Sequence, residues 1–168
     1  TVTKEKLIAI KNGGATRISI NPQTMNDEVL RTIGRRHTVE DTINAFELAR
    51  ECGFDNINMD LIAGLPYESL KEFKKSFDYT FKLKPNMLQL GFLKVLEGTK
   101  MENFAKNHDF KFLSLPPYEV LETPHISWSE LVFLKDIENL NDAYWNSGNF
   151  SNTFNYLLSL EDFSPFDF

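Results

Sequence analysis

Apolar and polar positions alternate along residues 1–98 with two periods, one typical of α-helices and one typical of strands. Three short segments rich in β-branched and apolar residues predict β-strands. They are separated by longer segments with one polar face, which predict helices. The order of these strands and helices decides the fold class. The predicted strands cover residues 16–20, residues 56–66, where the strand continues into a loop, and residues 87–95.

Helices are predicted around these strands by apolar residues spaced three or four positions apart. The chain opens with a short amphipathic helix over residues 4–12, which Gly13 and Gly14 end. Asn26 is a suitable N-cap for one or two helical turns over residues 27–33. Two longer helices carry the apolar stripes Val39, Ile43, Phe46 and Ala49, followed by Gly53, and Leu70, Phe73, Phe77 and Phe81, followed by Pro85.

The order strand, helix, strand, helix, strand predicts a parallel α/β array, because parallel neighbours need a crossover connection. Three parallel strands alone would leave an unpaired edge, and a barrel interior needs closure by further strands. We therefore expect residues 1–98 to be part of a longer barrel-like enzyme, and the rest of that barrel to be their partner. An exposed barrel edge would favour self-association. The alternative is a small open α/β sheet that the C-terminal helices cover.

A change of composition after about residue 98 predicts a second, mostly helical region over residues 99–168. Its last seven residues, 162–168, are acidic and aromatic without a period, and we expect them to be either frayed or docked. The predicted elements are a helix over residues 100–107, a rigid, extended, proline-rich connector over 115–124, a long helix from Trp128 to about Asn146 that Ser127 caps, and a helix over 150–158.

Charge and hydropathy narrow the classes of partner. The 168-residue chain has a formal net charge of −6 and no basic cluster longer than Arg35-Arg36. Nucleic acid is therefore not expected as a partner, because phosphate-backbone binders need a positive stripe. No apolar stretch reaches the roughly 18 to 20 residues of a membrane span, and no signal pattern opens the chain. We expect a cytoplasmic protein that does not contact the membrane.

Cysteine and histidine are too sparse to predict a metal site. Cys52 is the one cysteine, so the chain has neither a disulfide framework nor the thiolates that hold zinc or an iron–sulfur cluster. It lies on the apolar side of a predicted helix, which favours a packed structural thiol. His37, His108 and His125 each lack a second His, Cys or carboxylate at metal-ligand spacing.

Polar residues at the predicted strand ends are the candidates for binding, because parallel α/β folds bind ligands there. Gln23 follows the first strand, Asp60 lies in the second, and Gln89 and Lys94 lie in the third. An aspartate in an apolar strand needs a partner, which is either structural or a pair of ligand hydroxyls. Gln23 could equally satisfy loop backbone groups, and Arg35 could equally be a solvated cation at a helix end.

Residues 13–66 contain the ordered segments RISINPQT, IGRRHT and NMDLIAGLP. Together they resemble the middle of the radical S-adenosylmethionine (radical SAM) enzymes of the oxygen-independent coproporphyrinogen III oxidase group. The resemblance implies a partial (β/α)₆ TIM-like barrel whose C-terminal half would be residues 1–98. It also implies that Gln23 contacts the cofactor ribose, that Arg35 holds the methionine carboxylate and that Asp60 binds the ribose hydroxyls. A carboxylate suits a diol, and a guanidinium suits a planar carboxylate.

Residues 87–158 resemble a different subgroup. The segments LQLGFLKVLEGTKMENFA, PPYEVLETPHISWSEL and YWNSGNFSNTFNYLL are similar to the C-terminal region of cobalamin-binding radical SAM proteins. Some of those proteins are named after the magnesium-protoporphyrin ester oxidative cyclase. The resemblance implies S-adenosylmethionine and a 4Fe-4S cluster in the parent protein, with cobalamin as a further candidate cofactor. The CxxxCxxC loop that would hold the cluster is not in this chain, so we expect the 168 residues alone to be inactive.

The expected function is therefore that of a fragment of a radical SAM iron–sulfur oxidoreductase of the coproporphyrinogen III oxidase type. Its substrate would be a small molecule, a tetrapyrrole whose propionates are oxidatively decarboxylated. The runner-up is a cobalamin-binding enzyme of the oxidative-cyclase type. A third hypothesis is another barrel or open-sheet enzyme that uses Asp60 and Arg35 catalytically. A fourth is a non-catalytic interaction module in which residues 99–168 contact a partner through Trp128, Trp145 and the aromatic tail.

Overall fold

The computed structural model describes residues 2–168 and contains two sheets flanked by helices. A five-residue π-helical turn, here named π1, continues the longest helix. The elements are α1 (Lys4–Asn12), β1 (Ile18–Gln23), α2 (Asp27–Thr32), α3 (Val39–Glu51), β2 (Ile57–Ala63), α4 (Leu70–Lys82), β3 (Met87–Phe92), α5 (Lys100–Asn107), β4 (Lys111–Phe112), β5 (Val120–Glu122), α6 (Trp128–Asn141), π1 (Asp142–Asn146) and α7 (Ser151–Leu157).

The main sheet has three parallel strands in the order β1-β2-β3. Helix α3 packs on β1 and helix α4 packs on β2, as crossover helices of a parallel array do. This confirms the predicted parallel α/β array. The predicted (β/α)₆ barrel has more strands than the three of this sheet.

The first strand is longer than its sequence pattern indicated. It begins at Ile18 and continues through Pro22 to Gln23, whereas the apolar pattern had placed it at residues 16–20. The pairing with β2 shifts register between Ile20 and Gln23. Pro22 has no backbone N–H, and β1 tolerates it because this strand has a neighbour on one side only in the described sheet.

Capping residues explain where the longest helices begin. Thr38, Ser69 and Ser127 each form a capping box, in which the hydroxyl accepts from the third helical N–H and that third residue's carboxylate accepts from the cap. In α4 the predicted stripe faces inward, and its phenylalanines are buried together with Ser76 and Thr80. The core that results joins the sheet to α3, α4, α6 and α7.

The proline-rich connector differs from the prediction. Residues 120–122 form β5, which pairs antiparallel with β4, and Glu119 forms an isolated bridge to Lys94. These strands are two and three residues long, too short for a period of two to be recognised in the sequence.

Asparagine side chains from α6 and π1 cap the outer edge of β3. Asn146 Oδ1 accepts from the Leu88 N–H at 2.9 Å, while the Nδ2 groups of Asn141 and Asn146 donate to the Leu88 carbonyl at 2.6 and 2.9 Å. Trp145 Nε1 donates to the Pro85 carbonyl at 3.2 Å. The edge of β3 is therefore closed at Leu88 by the chain itself, and the predicted self-association would have to use another edge.

The C-terminal tail is docked rather than frayed. Asp78 of α4 accepts hydrogen bonds from the Ser164 hydroxyl at 2.7 Å and from the Phe166 backbone N–H at 2.8 Å. The Phe166 ring packs edge-on against Phe77 with centroids 5.5 Å apart. The tail is thereby part of the core next to α4.

We expect Asp78→Ala to lower the free energy of unfolding by about 1 to 3 kcal/mol, because it removes two charge-assisted hydrogen bonds. Thermal denaturation measures the loss, and limited proteolysis should then cleave residues 159–168 first. Asp162→Ala is the matched control, since Asp162 is an exposed aspartate within residues 159–168. Equal melting temperatures for the two variants would contradict the docking contact.

Candidate functional site

Gln23 and Asp60 meet at the C-terminal end of the parallel sheet. The Gln23 Nε2 group donates a hydrogen bond to Asp60 Oδ2 at 2.9 Å. The register makes this contact, because Gln23 lies opposite Leu61 on the neighbouring strand. Two residues that are 37 positions apart in the chain thus form one polar pair.

The pleat of β2 determines which way Asp60 points. Met59, Leu61 and Ala63 are buried, while the alternate positions Asp60 and Ile62 are half-buried. Desolvation on burial raises the pKa of Asp60 above its ordinary value, and the Gln23 hydrogen bond and the Arg35 charge oppose that rise. Gln23 is therefore the structural partner of this aspartate. It contacts the Oδ2 atom of the carboxylate and not the Oδ1 atom.

Gln23 is held in an uncommon conformation. Its φ is 71°, in the left-handed region that glycine and asparagine usually occupy, and its side chain is only 6% exposed. Such a conformation persists only where the surroundings hold it, and it recurs at ligand sites. Here the register shift in β1 and the bond to Asp60 supply those constraints.

Arg35 lies close to this pair without joining it. It follows Gly34, whose φ is 77°, in the loop between α2 and α3, and its backbone N–H donates to the Leu30 carbonyl at 2.9 Å. Its exposed guanidinium acts on Asp60 through charge, and no ion pair within 4.0 Å involves Arg35 among residues 2–168. The structure therefore brings two of the three predicted residues into contact and places the third within electrostatic range.

The third strand contributes less than the pattern indicated. Gln89 is opposite Asp60 in the register of β2 and β3, and its side chain is exposed. Lys94 lies beyond the end of β3, where its backbone bridges to Glu119. Neither contacts the Gln23–Asp60 pair by a hydrogen bond among the described residues.

Sequence reasoning missed a buried polar cluster directly behind the pair. Glu68, in the loop after β2, accepts a 2.5 Å hydrogen bond from the hydroxyl of Thr24, which follows Gln23. Thr24 also shares a hydrogen bond of 3.2 Å with Ser76 of α4. In the sequence, Glu68 is marked only by its place immediately before Ser69, the N-cap of α4.

Metal ligands are not grouped anywhere in residues 2–168: no set of three His, Cys, Asp or Glu side chains could hold an ion. Cys52 caps the end of α3 and packs partly against the core, as expected of a structural thiol. His108 stacks on Phe104, and His125 packs against Tyr67. Likewise, no helix in this described range is long and apolar enough to cross a membrane.

Chemically, the pair presents a carboxylate and an amide beside a cation. A carboxylate can accept hydrogen bonds from two hydroxyls at once, and an amide adds both a donor and an acceptor. A guanidinium binds a carboxylate through two parallel hydrogen bonds. These groups therefore fit a ligand that carries both a vicinal diol and a carboxylate.

Comparison with known families identifies the family of the region that contains the parallel sheet. Residues 1–80 match the radical SAM superfamily. These residues belong to the radical SAM superfamily. The radical SAM resemblance expected from the sequence is thus confirmed. Residues 106–168 match a second family, described as a protein of unknown function (DUF4080).

Similar proteins include two from Bacillus subtilis. The oxygen-independent coproporphyrinogen-III oxidase-like protein HemZ is 39% identical over 130 residues, 77% of this chain and 26% of HemZ. The heme chaperone HemW is 36% identical over 118 residues, 70% of this chain and 30% of HemW. The chain thus spans between 26% and 30% of the length of these relatives.

A solved structure supports the fold of this radical SAM region. The radical S-adenosylmethionine methyltransferase TsrM from Kitasatospora setae, with cobalamin and a [4Fe-4S] cluster bound, aligns with a TM-score of 0.57. The alignment covers 69% of this chain and 23% of TsrM at 18% identity. The mixed α/β fold therefore resembles a portion of a radical SAM enzyme.

Proposed function

We propose that residues 1–98 are the C-terminal half of the partial (β/α)₆ barrel of a radical SAM iron–sulfur oxidoreductase, and that residues 99–168 are a mostly helical region that follows it. Asp60 binds the ribose hydroxyls of S-adenosylmethionine, Gln23 contacts the same ribose, and Arg35 holds the methionine carboxylate. The observation that carries the proposal is the 2.9 Å contact between Gln23 and Asp60 at the C-terminal end of the sheet. The family match over residues 1–80 supports it.

The residues present fit the nucleoside and carboxylate groups of this cofactor, but not its cluster. Asp60 is half-buried on β2, with its Oδ2 atom bonded to Gln23, and Arg35 is exposed. The cluster needs thiolates, and the one cysteine here is used at the end of α3. When S-adenosylmethionine is bound to such a cluster, it supplies hydrogen-abstraction chemistry. This chain contributes binding and orientation, and by itself it is proposed to be inactive.

Oxidative decarboxylation of tetrapyrrole propionates is the proposed reaction of the parent protein. The support is the similarity to HemZ and HemW, whose names refer to coproporphyrinogen and to heme. A cobalamin-dependent enzyme is the second candidate. It is supported by the structural likeness to TsrM, which was solved with cobalamin bound.

The helical region has a proposed structural role beside the barrel. We divide the chain at residues 1–98 and 99–168, and in this division α6, π1 and the tail cover β3 and α4. Trp145 and Phe166 are engaged inside the chain, whereas Trp128 is 58% exposed. A partner surface on this region would therefore use Trp128, or Phe168 of the tail, which is 71% exposed, rather than Trp145 or Phe166.

The experiment is to reconstitute the iron–sulfur cluster in the full-length protein and to measure release of 5′-deoxyadenosine from S-adenosylmethionine. We expect cluster-dependent release that Arg35→Ala strongly reduces, with Arg36→Ala, the adjacent exposed arginine, as the matched control. Absence of cleavage by a protein with a full complement of iron would overturn the proposed function.

A further inference from the structure

The side chains of Glu68, Thr24 and Ser76 form a buried hydrogen-bonded chain next to the Gln23–Asp60 pair, since Thr24 directly follows Gln23. Glu68 is 1% exposed, and Thr24 and Ser76 are equally well buried. The Thr24 hydroxyl contacts Glu68 Oε1 at 2.5 Å and Ser76 Oγ at 3.2 Å. Ser76 Oγ also accepts from the Met25 backbone N–H at 3.1 Å. The chain thus links the loop after β2, the helix α4 and the segment that follows β1.

Glu68 is only half satisfied by this chain. Its Oε2 atom is buried and has no hydrogen-bond partner among the described residues. Desolvation raises the pKa of Glu68 to about 7, and repulsion by the Glu72 carboxylate on α4 acts in the same direction. The Thr24 and Ser76 hydroxyls oppose that rise. The positive charge of Lys75 acts on Glu72, whose pKa it lowers. A buried carboxyl in this setting is costly to ionise.

We infer that Glu68 is a positioning residue that holds the Gln23 amide against Asp60 through Thr24, and that the gain or loss of one proton at Glu68 controls this hold. The inference rests on the proposed function, because it deepens the role of the Gln23–Asp60 pair. Thr24 is the next residue after Gln23, whose φ of 71° requires constraint from its neighbours. A shift of Thr24 therefore reaches Gln23 directly.

The Thr24 and Ser76 hydroxyls can form hydrogen bonds with both protonation states of Glu68, because each hydroxyl can either donate or accept. When Glu68 is ionised, Thr24 donates to Oε1, and Ser76 can donate to Thr24. When a solvent proton is bound at Oε1, the carboxyl group donates to Thr24, which then donates to Ser76. The neutral form leaves no buried charge, while the ionised form leaves a charged oxygen without a partner. Ionisation therefore loosens the loop after β2 and, with it, Thr24.

Calorimetric titration of S-adenosylmethionine into the full-length protein at pH 6 and pH 8 tests the inference. We expect the affinity of the wild type to fall about tenfold between these values, and that of Glu68→Gln to stay near the wild-type value at pH 6. Glu72→Gln keeps the capping box and should remain pH-dependent, with a midpoint at lower pH than in the wild type, because the Glu72 charge that raises the Glu68 pKa is gone. Asp60 and Arg35 are present in all three proteins, so the difference between them isolates Glu68.

A second measurement without the cofactor separates failure of this inference from failure of the proposed function. In ¹⁵N-glutamine-labelled protein, the Gln23 side-chain amide resonance should shift with a midpoint near pH 7 in the wild type and not in Glu68→Gln. If no form binds S-adenosylmethionine, the cofactor assignment fails while the resonance still decides the role of Glu68. A Gln23 resonance with the same pH dependence in both proteins would overturn the inference.

Discussion

Replacing Asp60 with alanine should weaken S-adenosylmethionine binding by the full-length protein about 10- to 150-fold, with a matching loss of 5′-deoxyadenosine release below saturation. The estimate is that of one hydrogen-bonded charged group, worth about 1.5 to 3 kcal/mol. The variant also removes the acceptor for Gln23 Nε2 and leaves the side-chain amide of this buried residue without that partner. Isothermal titration measures the affinity, and product analysis measures the release.

Asp55→Ala is the matched control for this experiment. Asp55 is an exposed aspartate two residues before β2, at the opposite end of the strand from the proposed cofactor. Its replacement removes the same net charge without touching Gln23. Equal weakening by both variants would show that net charge alone matters, and unchanged affinity in Asp60→Ala would contradict the assignment of the ribose contact.

Replacing Glu68 with glutamine should remove the part of the pH dependence of the free energy of unfolding that comes from titration of the Glu68 carboxyl group. In the wild type the pKa is about 7 in the folded state against 4.5 for an ordinary glutamate. Between these values the folded state keeps a proton that the unfolded state has released. Stability of the wild type therefore falls as the pH rises from about 4.5 to 7. We expect Glu68→Gln to gain about 3 kcal/mol relative to the wild type between pH 4 and pH 8.

Urea unfolding at pH 4 and at pH 8 checks this expectation. Glu72→Gln serves as the control, because hydrogen bonds in its capping box lower the pKa of Glu72, so this group has the opposite sign of linkage. Its replacement removes the stability that the lowered pKa of Glu72 contributes and relieves only part of the repulsion on Glu68, so it should not reproduce the gain of Glu68→Gln at pH 8. A constant stability difference between wild type and Glu68→Gln at both pH values would show that Glu68 has no raised pKa.

Most of the secondary structure could be predicted because local signals and burial agree in it. The α4 stripe, its Ser69 cap and Pro85 beyond its end all specify the same helix. The π1 turn could not be predicted, since it follows from the long-range bonds of Asn146 and Trp145 to the residues around β3. The β4–β5 pair was missed for the same reason, because its partners are non-local and its strands are very short.

The candidate site was predicted in part. The family motifs indicated Gln23, Arg35 and Asp60, and the parallel register explains why Gln23 and Asp60 meet. The role of Glu68 was beyond sequence reasoning, because Thr24 is 44 positions away from it and no local pattern links the two. A buried glutamate can be recognised only when its surroundings are known.

The central claim is that Asp60 contacts the ribose hydroxyls of S-adenosylmethionine directly. A thermodynamic cycle tests it, with wild type and Asp60→Ala each titrated with S-adenosylmethionine and with its 2′,3′-dideoxy analogue. We predict that the wild type binds the analogue at least tenfold more weakly than S-adenosylmethionine, and that Asp60→Ala binds the two ligands equally. The same preference for S-adenosylmethionine in both proteins would contradict the claim.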